Sequence, residues 1–193
     1  KGIEMILNDK QIIELAEQGM ITPFHRESVK QVKGIKALSF GVSSFGYDLQ
    51  VADEFRILKK GVDPIDPKKN QADQWERLPV QEDGTGRYVI IPPHSFVLGH
   101  SMEYWCIPKD VVTIAVAKSS YARCGIIPNV TPFEPGWEGI VTLEITNSTD
   151  RNAKVYAGEG LVQVLFFRGD RPEKTYTDKG GRYQGQTGIT HSR

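Results

Sequence analysis

Residues 118–125 read Lys-Ser-Ser-Tyr-Ala-Arg-Cys-Gly and follow directly on an apolar run at residues 111–117. Two cations and two hydroxyls at the exit of a strand can present positive charge and hydrogen-bond donors to phosphate oxygens. The same residue types also close ordinary polar turns, in which serine side chains bond the local backbone. Spacing alone therefore leaves two interpretations open, a phosphate site and a structural turn.

The carboxylate of Glu144 is a second candidate, in the middle of an alternating run at residues 140–146. Val141, Leu143 and Ile145 share one face of a predicted strand, so Glu144 lies on the other face between Thr142 and Thr146. If that face is in solvent, the carboxylate is an ordinary surface group. If the face lines a cavity, desolvation raises the carboxyl pKa toward a value useful for a general base. The sequence does not choose between these alternatives.

A third candidate is the glycine-rich segment at residues 176–186, which carries Tyr176, Arg182 and Gln186. Aromatic, basic and amide groups on such a segment are typical of a flap that folds over a ligand. A solvated chain end has a similar composition, so that alternative also stays open. We expect residues 178–193 to be mobile when no ligand holds them.

The sequence lacks the motifs of several well-known classes of enzyme. The zinc deaminase signature requires a Pro-Cys-x-x-Cys run, whereas Cys106 and Cys124 are far apart in the chain. The sequence also has no Walker-type phosphate loop, Rossmann fingerprint or serine-hydrolase elbow. We therefore expect a chemistry that uses no zinc.

Composition narrows the function classes further. The 193 residues include 24 Lys plus Arg and 24 Asp plus Glu, which gives a formal net charge of zero. This balance argues against a nucleic-acid surface, which needs a basic excess, and the apolar runs are too short for a membrane helix. With two cysteines the chain does not look like a disulfide scaffold, so we expect a reducing, cytoplasmic location. Residues 1–4 precede Met5, and we expect them to be a remnant of cloning.

Mainly β-strands must position these groups. One helix is predicted near the start, capped by Asn8 or Asp9 and ended by Gly19. Short β-rich runs divided by turn residues are typical of an antiparallel sandwich or barrel, here as a single domain over residues 1–193. A polar excursion, the segment at residues 61–86, precedes all of them. The predicted strands cover residues 87–91, 94–99, 111–117, 140–147, 153–156 and 161–167.

Four segments occur in the order and approximate spacing found in the dCTP deaminases, which belong to the trimeric dUTPase-like superfamily. These segments are residues 45–49, 118–125, 132–144 and 176–186. The chain resembles this family over most of its length. The resemblance implies a mainly β fold, a distorted β-barrel or jelly roll with a short N-terminal helix. It also implies a homotrimer with active sites at subunit interfaces and hydrolytic deamination of dCTP to dUTP and ammonia.

The resemblance also assigns roles to residues. It makes Glu144 the general base and acid that activates water for attack at C4 of cytosine. It also makes Ser119 and Arg123 catalytic residues that position the reacting water and support the site. It implies Mg²⁺ bound through the triphosphate, no zinc, and dTTP as a possible feedback inhibitor. The residues implied to bind substrate are Lys118, Ser119, Ser120, Tyr121, Ala122, Arg123, Glu134, Thr142, Leu143, Glu144, Gln163, Tyr176, Arg182 and Gln186.

Two positions depart from the family pattern. Many relatives have arginine in place of Lys118. The lysine ammonium is a point charge, whereas a planar guanidinium can form two parallel hydrogen bonds with a phosphate. Bifunctional members, which convert dUTP onward to dUMP and pyrophosphate, have aspartate in place of Glu134. Glu134 therefore favours a deaminase that stops at dUTP. A bifunctional deaminase and a non-catalytic jelly-roll binding protein remain the alternatives.

Overall fold

The computed structural model describes residues 5–61, 63–70 and 72–192, so the expectation about residues 1–4 lies outside the described residues. Strands dominate, as the sequence predicts. The elements in chain order are α1 (Asp9–Glu17), β1 (Ile21–Thr22), β2 (Val29–Val32), β3 (Ile35–Ser43), β4 (Gly46–Gln50), β5 (Arg56–Leu58), a 3₁₀ turn (Ala72–Gln74), β6 (Trp75–Arg77), β7 (Gln81–Asp83), β8 (Gly86–Ile91), β9 (Phe96–Cys106), β10 (Val111–Ala117), α2 (Ser119–Ala122), β11 (Ile126–Asn129), β12 (Glu138–Asn147), β13 (Ala153–Tyr156) and β14 (Gly160–Arg168).

Helix α1 has the predicted start and end. The side chain of Asn8 accepts a hydrogen bond from the backbone amide of Gln11 at 3.2 Å, and the Gln11 side chain accepts one from the Asn8 amide at 3.0 Å. This reciprocal pair satisfies two amides that a helix start leaves without partners. Gly19 follows the helix with a φ of +98°, a conformation that glycine adopts without strain. The helix buries Ile12 and Leu15 against the sheets. No helix in the described part of the chain is long and apolar enough to cross a membrane.

Three antiparallel sheets surround one core. The first, the site sheet, has the order β11-β12-β9-β5-β6, with β1 also paired to β9. The second, the β10 sheet, has the order β10-β14-β4-β3-β2, and the third has the order β13-β8-β7. This arrangement confirms the predicted mainly β fold, a distorted barrel with a short N-terminal helix.

The predicted strands agree with β8, β10, β12, β13 and β14 to within two residues at each end. The predicted end of a strand at Gly99 is wrong, because β9 runs on to Cys106. A Cβ at Gly99 would lie 3.2 Å from Val51 and 3.3 Å from Phe55. The glycine therefore permits close packing inside a continuous strand rather than ending it. The sequence pattern also does not predict β1–β7 or β11, most of which are too short to show an alternation of polar and apolar residues.

The core that supports the site sheet centres on the fully buried Trp105. Its ring lies 5.2 Å from that of Phe133, 5.8 Å from that of Tyr47 and 6.2 Å from that of Phe166, measured between centroids. Replacing a buried aromatic residue of this size with alanine typically costs about 3–5 kcal/mol. These rings hold β9 and the β10 sheet in fixed relation, and β12 pairs with β9 along most of its length.

Glu103, on the core side of β9, has no exposed surface. The backbone amide of Gln50 donates to both carboxyl oxygens at 3.0 and 3.2 Å, and the Tyr47 hydroxyl donates to one of them at 3.4 Å. Burial nevertheless raises the pKa of Glu103 to about 8, because it disfavours the charged form. The folded protein therefore binds this proton more tightly than the unfolded chain does.

We expect the stability of the protein to decline with pH through Glu103. The stabilising effect of a raised carboxyl pKa is complete below the ordinary carboxyl pKa and is lost as the pH rises toward the folded-state value. Between about pH 5 and pH 8, the free energy of unfolding should fall by at least about 1 kcal/mol more in the unchanged protein than in the E103Q variant. The free energy of unfolding of both proteins is measured at several pH values by urea unfolding followed by tryptophan fluorescence. Parallel pH dependences in the two proteins would contradict the assignment to Glu103.

Candidate active site

A cavity of about 600 Å³ lies against the outer face of the site sheet. Glu144 and Thr142 of β12 and Leu98 of β9 form part of its lining, and Trp75 of β6 and Phe96 of β9 contribute aromatic surface. The cavity is large enough for a nucleotide base and sugar, and its apolar walls with a few polar groups are typical of a small-molecule site.

Strand β12 divides its side chains between the core and this cavity. Val141, Leu143 and Ile145 are at most 4% exposed and lie in the core. The intervening side chains, including Glu144, lie on the opposite, partly accessible face. The predicted alternation is therefore confirmed, and the face of Glu144 lines a cavity rather than open solvent.

The carboxyl group of Glu144 is largely removed from water. Among the described residues, its Oε2 oxygen is buried and has no hydrogen-bond partner. Burial raises the pKa of Glu144 to about 7, and a hydrogen bond from the backbone opposes this with a smaller effect. Near neutral pH the group can therefore both accept and release a proton, which a surface carboxylate with an ordinary pKa does poorly.

The tail segment, residues 175–192, runs along β12 and closes one side of the cavity. The backbone amide of Ile140 donates to the Gln186 carbonyl at 2.8 Å, and the Thr142 hydroxyl donates to Gln186 Oε1 at 3.1 Å. A Cβ at Gly139 would lie 2.8 Å from the Gln186 amide nitrogen. The tail therefore reaches β12 only because glycine occupies this position.

Aromatic residues also hold the part of the tail segment that precedes Gln186. The Trp137 indole donates to the Tyr183 carbonyl at 2.9 Å, and the Tyr183 amide donates to the Tyr176 hydroxyl at 3.0 Å. Glu134 forms an ion pair with Lys179 at 3.7 Å. These contacts place Tyr176 and Tyr183 in the cavity wall.

The structure brings together one group of the expected site residues. Those that line the cavity are Glu134, Thr142, Glu144, Tyr176 and Gln186. The side chain of Leu143 is fully buried in the core, so only its backbone can reach a ligand. Arg182 is exposed and is not part of the cavity lining.

A second group lies elsewhere, at the end of β10. None of these residues lines the cavity in the described part of the chain: Lys118, Ser119, Ser120, Tyr121, Ala122, Arg123 and Gln163. Lys118 forms an ion pair with Asp48 and donates to Ser39 Oγ at 3.2 Å. Its charge is thus already balanced within the chain.

The other members of this group differ in exposure. Ser119, Ser120 and Arg123 are exposed. Tyr121 is buried, and its hydroxyl accepts a hydrogen bond from the Tyr156 amide at 2.9 Å. The turn therefore has an anchored inner side and an outer side that is open to another molecule.

An apolar face adjoins this turn. Val112, Ile114 and Val116 on β10 are 37%, 47% and 42% exposed. Leu165 and Phe167 are the register partners of Ile114 and Val112 on β14, so they share the same face. Contiguous exposed apolar surface of this kind marks an interaction site.

Several residues that line the cavity are not among those expected from the sequence. Trp137 and Tyr183 lie inside recognised segments, and an indole or phenol next to a glycine-rich flap could have identified them. Trp75, Phe96 and His191 also line the cavity, but no spacing or motif marks them. No group of three or more His, Cys, Asp or Glu side chains that could hold a metal ion occurs in the described ranges.

Comparisons with known proteins identify the family. A sequence model of the dCTP deaminase-like family matches residues 6–169. The dCTP deaminase of Cupriavidus pinatubonensis is 51% identical over 188 residues, 96% of this chain and 97% of that protein. That of Acidobacterium capsulatum is 53% identical over 185 residues, 95% of this chain and 96% of that protein.

A solved structure shows a similar fold. The crystal structure of 2′-deoxycytidine 5′-triphosphate deaminase from Agrobacterium tumefaciens matches with a TM-score of 0.61 and 20% sequence identity. The match covers 87% of this chain and 49% of that one, so this chain spans about half the length of the solved chain. The resemblance inferred from four sequence segments is thus confirmed by matches along nearly the whole chain. This chain belongs to the dCTP deaminase-like family.

Proposed function

We propose that this protein catalyses hydrolytic deamination of dCTP to dUTP and ammonia. The observation that carries the proposal is the buried carboxyl group of Glu144, whose pKa burial raises to about 7, in a cavity large enough for a nucleotide base and sugar. The names of the relatives from Cupriavidus and Acidobacterium support dCTP as the substrate.

The chemistry follows from one group that exchanges protons. Ionised Glu144 takes a proton from water while the water oxygen attacks C4 of cytosine. The protonated carboxyl then gives that proton to the exocyclic nitrogen, the C4–N bond breaks, and ammonia leaves. The hydroxyl proton that remains on O4 passes to N3, which gives the uracil base of dUTP. Water and dCTP are consumed, and dUTP and ammonia are formed. The low-dielectric wall that raises the pKa of Glu144 also strengthens every hydrogen bond to the developing charge.

The substrate is proposed to arrive as its Mg²⁺ complex. Because the described residues offer no carboxylate cluster for the ion, the phosphate oxygens would hold it. The exposed hydroxyls of Ser119 and Ser120 and the cation of Arg123 suit the same polyanion. We propose a mechanism in which no zinc takes part.

We also propose a homotrimer with its active sites between subunits. The exposed apolar face of β10 supports this assembly, because a second copy seated there would cover Val112, Ile114 and Val116. The separation of the cavity from the Lys118–Arg123 turn supports shared sites. On this proposal one subunit supplies Glu144, and its neighbour supplies Ser119 and Arg123.

Three narrower proposals concern products, regulation and location. Glu134 is already paired with Lys179, which supports a reaction that stops at dUTP. The pyrimidine nucleotide dTTP is proposed to compete for the same cavity as a feedback inhibitor. Two exposed free cysteines, Cys106 and Cys124, support a reducing cytoplasmic location.

The E144Q substitution tests the catalytic role. It keeps the shape of the side chain but removes the base, so we expect kcat to fall by about 10²–10⁴-fold while dCTP still binds. Chromatography of a reaction with dCTP and Mg²⁺ should show dUTP and ammonia with the unchanged protein. Near-normal turnover by E144Q would refute the role of Glu144, and pyrophosphate with dUMP would identify the bifunctional alternative.

The pH dependence of the rate gives a second test. Below its folded-state pKa, Glu144 is protonated and cannot accept a proton from water. We expect kcat/KM to rise with pH, about tenfold per unit well below pH 7, and to level off above it. The E103Q variant is the control, because Glu103 faces the core and its loss should leave the inflection near pH 7 unchanged. A profile that is flat from pH 5 to 8 would exclude Glu144 as the base.

Mixing two inactive variants tests the shared site. In a trimer of randomly mixed E144Q and R123A subunits, about a quarter of the interfaces combine intact Glu144 with intact Arg123. We therefore expect activity to return to about that fraction after subunit exchange, with sedimentation confirming trimers. If exchanged trimers stay inactive, both residues act within one chain.

A further inference from the structure

His191, near the end of the tail segment, is held in the cavity from two sides. The backbone amide of the preceding residue, Thr190, donates to the Thr142 hydroxyl of β12 at 3.0 Å. The hydroxyl of the following residue, Ser192, donates to the Lys69 carbonyl in the polar excursion at 3.4 Å. The imidazole therefore lies between the strand that carries Glu144 and the opposite wall of the cavity.

The imidazole ring packs on an aromatic wall. Its centroid lies 5.6 Å from that of Trp75, with 33° between the ring planes. Trp75 in turn contacts Phe96 edge-on at 5.6 Å. Since Trp75, Phe96 and His191 all line the cavity, the contact gives the imidazole a fixed position there.

One ring nitrogen of His191 is left without a partner. Nδ1 is buried and makes no hydrogen bond to any part of the chain that the structure describes. A buried polar atom without a partner costs free energy. A ligand in the cavity that supplied this hydrogen bond would recover that cost.

The charge state of the ring indicates which part of a nucleotide it suits. Burial lowers the pKa of His191, and the nearby Arg56 cation lowers it further. The ring is therefore uncharged at neutral pH and can donate or accept one hydrogen bond at Nδ1, depending on its tautomer. A neutral group beside Trp75 and Phe96 suits the base or sugar better than a polyphosphate, which needs cations.

We propose that His191 is a substrate-positioning residue that hydrogen-bonds through Nδ1 to the nucleoside part of the bound nucleotide. The inference rests on the proposed function, because it assumes a pyrimidine nucleotide in this cavity. Besides Glu144, the bound nucleoside would then have a second polar contact in the cavity, from His191. The tail supplies this contact only when it lies along β12. Binding of the nucleoside and closure of the tail thus stabilise each other.

Three substitutions distinguish the contribution of Nδ1 from that of the aromatic ring of His191. H191F keeps the aromatic contact with Trp75 but removes Nδ1, whereas H191A removes both. H191N keeps a polar atom close to the position of Nδ1. The matched control is H94N, because His94 pairs with Asp150 outside the cavity and has a φ of +51°, which asparagine tolerates.

Binding is measured calorimetrically in the E144Q background, in which dCTP persists. We expect H191F and H191A to weaken dCTP binding about tenfold, the value of one hydrogen bond, and H191N to restore it to within about threefold. The monophosphate dCMP should lose affinity by the same factor as dCTP. With Glu144 intact, H191F should raise KM about tenfold and change kcat by less than about threefold.

The outcomes distinguish the inference from the proposed function. Equal dCTP affinity for H191F and the H94N control would overturn the role of His191 and leave deamination standing. A loss seen with dCTP but not with dCMP would place the contact at the β- or γ-phosphate, which dCMP lacks, and overturn the assignment to the nucleoside. If the E144Q protein binds no dCTP at all, the proposed function fails and the inference fails with it.

Discussion

The carboxyl group of Glu144 lies where water is scarce, and most of the site follows from the way the fold keeps it there. A carboxylate in water titrates far below neutral pH, whereas burial raises the pKa of Glu144 to about 7. That shift requires that β12 be anchored by its core face. The opposite face, which carries Glu144, then keeps its position although other side chains do not pack tightly over it. The ring cluster around Trp105 and the pairing of β12 with β9 provide this support.

The tail segment completes the low-dielectric environment. It reaches β12 at Gly139, where a side chain would collide with the Gln186 backbone. Its polar contacts go to groups next to Glu144 rather than to Glu144 itself, and Oε2 has no hydrogen-bond partner among the described residues. In the proposed mechanism this arrangement would couple closure of the tail to activity, because an open tail would let water lower the pKa of the carboxyl group.

Charge is distributed in a way that suits a small anionic ligand without making the protein a general anion binder. The net charge is zero, and Lys118 is balanced by Asp48. Exposed Arg123 and the two serines of the same turn are local donors at the edge of an apolar face. In the proposed trimer, a second subunit on that face would exclude water from the turn and strengthen the proposed contacts with phosphate, since ionic interactions grow as the dielectric constant falls.

The sequence by itself determined the family, the β-rich class, the capped first helix and the face of β12 on which Glu144 lies. These features depend on local residue order: the Asn8 cap, the alternation from 140 to 146 and four segments in register with a family pattern. It could not give the continuation of β9 through Gly99, because a glycine that permits close packing has the same local signature as one that ends a strand. Nor could it place Trp75 and His191, which come from segments far apart in the chain and meet only in the folded cavity. The separation of Glu144 from the Lys118–Arg123 turn was likewise decided by the tertiary structure, because the distance between two strands depends on sheet order, which local sequence does not encode.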